Sequence, residues 1–148
     1  MPAQFNKLGI RFTYPDNWTV DESSAMEGAA SVTVYSPTDS FWSVSLHPDD
    51  VEPEELVRSG TEALRETYPD LDVEEIRETV QGRTIVGADV NFICLDLTNT
   101  AQIRVFESAN CVVVVYCQAD DRDFDMLGPV FQAMTVSLLA GMPTPHDD

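Results

Sequence analysis

The 148-residue chain carries 26 acidic side chains against 8 basic ones, a formal charge of −18. A field of that sign repels phosphate backbones and anionic lipid, which excludes nucleic acid and membrane surfaces as partners and favours basic proteins. With 43% apolar and 9% aromatic residues, the chain is expected to fold as a single domain over 1–148 around one real core.

In chain order, the first periodic element is Gly9–Tyr14. Ile10, Phe12 and Tyr14 alternate there with Arg11 and Thr13, the period of a half-buried strand. Pro15, Asp16 and Asn17 supply turn chemistry, and Trp18 leads back toward the sheet. Tyr14, Pro15 and Trp18 are read as turning the chain and pinning it to the core, not as chemistry. Residues 21–30 show little periodicity and read as an irregular connection. Two alternating runs follow, at 31–36 and 41–47. Pro53 suits a first helical position, and Leu56, Val57, Gly60, Ala63, Leu64 and Thr67 recur at helical spacing through Tyr68.

Four hairpin-linked strands come next. Residues 71–80 alternate imperfectly, as around a bulge, and Gln81-Gly82 turns. Residues 83–97 form a long strand, Thr98-Asn99 turns, and a strand starts at Ala101. Cys111–Gln118 is apolar on both parities, which predicts a central strand buried on both faces. The acids of 120–125 suit a helix start, and Phe124, Leu127, Phe131, Met134 and Leu138 keep helical spacing. Gly128-Pro129 is expected to kink or restart that helix. The core spans about 8–139 and 140–148 is a frayed tail. Strands, helix, hairpin-linked strands and helix make the class α+β, with a central antiparallel β-sheet flanked by helices.

Cysteine usage points to a reducing setting. Cys94, Cys111 and Cys117 form no CxxC, and Cys111 and Cys117, six apart on one strand, sit about 20 Å apart and cannot bridge. The opening residues contain no apolar run of signal-peptide length, so the expected location is cytoplasmic.

The search for chemistry yields no catalytic set, no metal site and no cofactor site. His47 and His146 are the two histidines, and only His47 could serve a serine nucleophile, with no GxSxG elbow beside it. Asp121, Asp123 and Asp125 have calcium-loop spacing, but Met126 and Gln132 stand where that loop needs Gly and Glu. Nucleotide-binding glycine loops are absent. Two binding candidates remain. One is a polar sheet face made of Arg11, Thr13, Ser43, Ser45, His47, Asp89, Asn91, Gln102 and Arg104, all on the non-core parity of their strands. The other is an acidic docking surface. From Pro48 to Gly82 there are twelve acids against Arg58, Arg65 and Arg77, and Glu54, Glu55, Glu62 and Glu66 lie on the first helix.

The stretches RFTYPDNW (11–18), FWSVSLHP (41–48) and CVVVVYCQADDRDFDMLGPVFQAMTVSL (111–138) resemble the PsbP/Mog-like superfamily, especially its DcrB-like bacterial branch. The resemblance covers residues 8 to 139. It implies an α/β/α sandwich and mostly non-catalytic work: members include a photosystem accessory subunit, a factor binding the Ran GTPase and chaperones for secreted effectors. The functional expectation is a non-enzymatic protein-binding module, adaptor or chaperone-like, whose partner presents a basic surface; a homodimer is compatible with it. The alternatives are a small-molecule or metal-binding protein using the polar sheet face and, last, a hydrolase acting through His47.

Overall fold

The computed structural model describes residues 2–22 and 30–144. The irregular connection expected at 21–30 falls mostly outside them, as does His146. The described chain runs β1 (Ala3–Lys7), β2 (Ile10–Tyr14), β3 (Thr19–Asp21), β4 (Ser31–Tyr35), β5 (Phe41–Pro48), α1 (Pro53–Thr67), β6 (Asp72–Val80), β7 (Arg83–Cys94), β8 (Leu97–Glu107), β9 (Cys111–Asp120) and α2 (Asp121–Gly141). Strands β3 to β9 make a seven-stranded antiparallel sheet in the order β3-β4-β5-β9-β8-β7-β6, and β1 and β2 form a separate hairpin. One helix lies on each face, an α+β sandwich.

Strand β9 is the middle strand of the seven, as its double-sided apolar sequence requires. Each face of the sheet is covered over only one half, and β9 lies where the halves meet. On one face, Phe131, Met134, Leu138 and Leu139 of α2, with Phe5, Ile10 and Phe12 of the β1–β2 hairpin, bury Val32, Val34, Trp42, Val44, Val113 and Val115. Trp42 is fully enclosed there, its ring 4.7 Å from that of Phe12 and its indole N–H donating to Thr135 Oγ1 at 3.1 Å. On the other face, Leu56, Val57, Leu64 and Tyr68 cover Val86, Ala88, Val90, Phe92, Ile103 and Val105. Gly60 lets α1 sit close, because a methyl group there would lie 3.1 Å from Ile103 Cδ1.

Pro53 begins α1 as its sequence position predicts, and Asp120 caps α2 by accepting the Asp123 N–H at 2.9 Å. Elsewhere the structure departs from the sequence reading. Residues 3–7 form a strand the reading lacks. β6 pairs with β7 in unbroken register and carries no bulge. The β7–β8 turn is Leu95-Asp96, not Thr98-Asn99, since Cys94 opposes Leu97. That register sets Val86, Ala88 and Val90 opposite Val105, Ile103 and Ala101, whereas a turn at 98–99 would set Glu107 opposite buried Val90. α2 continues as one α-helix across Pro129. The carbonyl that Pro129 leaves without a donor belongs to Asp125, an exposed residue that solvent can serve. The helix also extends to Gly141 and is followed by buried Met142, so 140–143 is not frayed. Ser108 Oγ and the Ala109 N–H both donate to the Pro143 carbonyl, holding it in place.

Candidate binding groove

From Leu127 to Met142 the sequence carries no charged residue, in a chain of net charge −18. Surface helices ordinarily carry charged residues opposite their buried stripe, so an uncharged outer flank is a candidate contact surface. α2 has the length and apolarity of a membrane-crossing helix, yet only Phe131, Met134, Leu138 and Leu139 are buried, against the sheet. Its other flank leaves Pro129 and Ala133 exposed and Val130 half-buried.

The end of β2 and the turn after it run beside that flank. The Thr13 N–H donates to Ser137 Oγ at 2.9 Å, and Ser137 Oγ donates to the Met134 carbonyl at 3.0 Å, so strand and helix are tied. The turn closes with the Trp18 N–H donating to the Pro15 carbonyl at 3.1 Å. Trp18 is 8% exposed and meets Phe131 edge-on, ring centres 5.8 Å apart. With Trp18 anchored below, Tyr14, Pro15 and Asp16 stand as a wall. The result is an apolar groove of about 580 Å³ between this wall and Pro129, Val130, Ala133 and Met134, with Pro2 also lining it. The volume lies within the range of small-molecule and peptide-anchor sites. The turn is therefore structural through Trp18 and also forms one side of this groove, a role its sequence does not announce.

The polar sheet face expected from strand parity does not exist as one surface. Arg11 belongs to the β1–β2 hairpin, where its guanidinium lies against the C-terminal end of α2: a methyl at Gly141 would sit 3.2 Å from Arg11 Nε. That end of the helix carries partial negative charge, a favourable site for a cation. Ser43, Ser45 and His47 share the α1 face of the sheet, because Ser43 opposes Tyr116 and Tyr116 opposes Ile103. Asp89, Asn91, Gln102 and Arg104 lie on the α2 face, since Gln102 opposes Cys117 and Arg104 opposes Val115. The physical reason is the half-coverage of each face: the polar parity on one side of β9 aligns with the apolar parity on the other.

Within the second group, the charges satisfy one another. The Arg104 side chain is 14% exposed, donates to Asp89 Oδ1 at 2.8 Å and to the Ile103 carbonyl at 3.0 Å, and lies 3.5 Å from Glu78. Gly87 makes room beneath it, because a methyl there would collide with the Ile103 carbonyl oxygen and press on Arg104 Cδ. Thr100 Oγ1 lies 2.9 Å from Asn91 Oδ1 and 2.7 Å from Asp121 Oδ1. His47 Nε2 is 2.9 Å from Ser45 Oγ, and burial holds the imidazole pKa below its ordinary value. Burial also drives the Cys117 thiol up to about 12, and all three cysteines are free. Among the described residues no three His, Cys, Asp or Glu side chains gather as a metal site would require.

On α1, Glu55 pairs with Arg58 and Glu62 with Arg65 at 2.6 Å, while Glu54 reaches Arg77 of β6 at 3.7 Å. Only Glu66 of the four makes no ion pair among the described residues. The acidic helix face is thus largely compensated by the three arginines of its own segment.

The solved structure of cyanobacterial PsbP (CyanoP) from Synechocystis sp. PCC 6803 superposes with a TM-score of 0.63 at 14% identity, covering 92% of this chain and 90% of that one. The chain has a PsbP-like fold. A Pseudomonas aeruginosa protein of unknown function, PA94, is similar at a TM-score of 0.54 and 12% identity, covering 93% and 95% of the two chains. A Bacteroides thetaiotaomicron structure matches 80% of this chain and 41% of its own at 0.55 and 14% identity. These likenesses do not single out the DcrB-like branch. No family model and no curated sequence matches the chain. The PsbP-like neighbours share the architecture, not a demonstrated activity.

Proposed function

We propose that the chain is a non-enzymatic protein-binding module that seats an uncharged, apolar peptide segment of its partner in the groove between the Tyr14–Asp16 wall and α2. The observation that carries this reading is the uncharged flank of α2 lining a 580 Å³ apolar groove on a chain of net charge −18. Asp16 on the wall and the chain's net charge of −18 give the groove a negative surround. That surround suits a partner segment with basic flanks, and electrostatic attraction of that kind acts mainly on the association rate. A cytoplasmic setting belongs to the same proposal.

Selection of a displayed random peptide library on the purified protein tests it. Apolar sequences with flanking Lys or Arg should be enriched. Their affinity should fall roughly tenfold or more on Ala133→Arg, which fills the groove with a charge, while the melting temperature stays put. Peptides that bind wild type and Ala133→Arg equally would refute the groove as the site.

A further inference from the structure

The β7–β8 hairpin outruns the sheet. β6 begins with Asp72 opposite Asn91, and β9 ends with Asp120 opposite Asn99. The last two rungs, Ile93 opposite Thr98 and Cys94 opposite Leu97, therefore have no strand on either side. A bare two-stranded arm gains little from its own ladder, so polar residues are the expected covering. Instead Ile93 is 67%, Leu95 92% and Leu97 40% exposed.

The turn itself breaks a second local rule. Leu95 and Asp96 both have positive φ, 52° and 64°, as in a type I′ turn, where Asn-Gly is the favoured pair. The other two turns of this kind among the described residues, Leu8-Gly9 and Gln81-Gly82, each place glycine second. Among the described residues only Leu95-Asp96 holds two side-chain-bearing residues in the left-handed region, and it spends that strain on presenting a leucine to solvent. The register explains the turn's position but not its leucine: strain and exposed apolar surface at one spot, with the Leu95 side chain itself packing on nothing, mark a place shaped for something outside the fold.

Charge around the arm narrows the occupant. Asp96 is in the turn, Asp72 flanks one side of the base, and Asp120 and Asp121 flank the other. Anionic lipid is repelled by this ring, and so is a second copy of the same arm. We propose that the β7–β8 arm is a docking knob: Leu95, with Ile93 and Leu97, enters an apolar socket on a protein partner whose rim carries Lys and Arg. This surface is separate from the α2 groove and stands independently of it.

The test uses the full chain as bait for a phage-displayed library of protein fragments made from its own source. Fragments that bind should carry clustered Lys or Arg, and their affinity should drop with added salt. It should also drop roughly tenfold or more on both Leu95→Asn and Leu95→Asp. Leu95→Asn is the folding control: asparagine suits the left-handed position, so that variant should melt no lower than wild type. Ala133→Arg should leave these fragments bound, which separates the knob from the groove. A library with no fragment sensitive to Leu95 overturns the proposal, as does a lower melting temperature for Leu95→Asn. Leu95-dependent flotation with phosphatidylcholine vesicles, or a Leu95-dependent dimer in sedimentation, would overturn it in favour of a membrane or a second copy.

Discussion

Replacing Trp18 by alanine probes the joint between the turn, the groove wall and α2. A buried tryptophan removes about 150–250 Å² from water, and Trp18 is 8% exposed. At about 25 cal/mol per Å² the area corresponds to roughly 4–6 kcal/mol, an upper figure because unfolded chains already hide some apolar surface. The retained Cβ subtracts about 1 kcal/mol. Loss of the edge-on contact with Phe131 adds about 0.5–1.5 kcal/mol. With the area figure discounted by about a fifth for that residual burial, the balance is about 3–5 kcal/mol, in line with other large-to-small core changes. Urea unfolding followed by far-UV circular dichroism measures it, with Trp18→Phe as a milder control keeping the aromatic contact. A loss below about 1 kcal/mol at unchanged urea slope would refute the anchoring role. Peptide binding gives a second readout, since an unanchored Tyr14–Asp16 wall should also weaken the groove.

Other outcomes follow from the same geometry. Gly87→Ala should prevent normal β7–β8 pairing and lower the melting temperature sharply, because the added methyl meets a backbone oxygen and not a movable side chain; an unchanged melting curve would contradict the close approach. All three thiols should react with Ellman's reagent in denaturant without reductant, while in the native protein Cys117 should stay silent at pH 8, being buried with its pKa pushed up to about 12. His47 has a folded pKa below its ordinary value of 6.5, so the unfolded chain binds the proton more readily. Its contribution to stability is therefore complete above about pH 6.5 and is lost as the pH falls through and below that value; His47→Gln should flatten this part of the stability–pH curve, and an identical slope would exclude the assignment.

Strand and helix identities were legible in residue periodicity wherever one side of an element is buried along its length. The apolar double parity of Cys111–Gln118 placed β9 at the centre, and Pro53 and the acids before Phe124 marked two helix starts. Legibility ended where pairing, not pattern, decides. Thr98-Asn99 is the better turn by local chemistry, but only Leu95-Asp96 sets three apolar residues of β8 against three of β7. The sheet-face assignment failed for a related reason. Parity within β5 and within β8 was read correctly as polar against apolar, but which parities align depends on register through β9. β1 was missed because only Phe5 of its five residues is buried, too few to show a period. The groove was missed although its signal was present: an uncharged run from Leu127 to Met142 has more apolar surface than one buried stripe requires.

The central position of β9 also shapes how the chain reaches this structure. Its partners on either side are β5 and β8, and Pro48 of β5 pairs with Cys111 across the whole of α1 and β6 to β8. During synthesis the β6–β7–β8 meander can close as each strand emerges, whereas the β3–β4–β5 unit must wait with the inner edge of β5 open. Joining the two halves closes the longest loop between paired strands, so it should be the slow step of sheet assembly, set by the search for β9's place and not by hairpin growth. Until then two unpaired edges are on offer to any neighbouring nascent chain, and the many like charges of this sequence become a kinetic safeguard, holding half-made sheets apart while they wait for their middle strand.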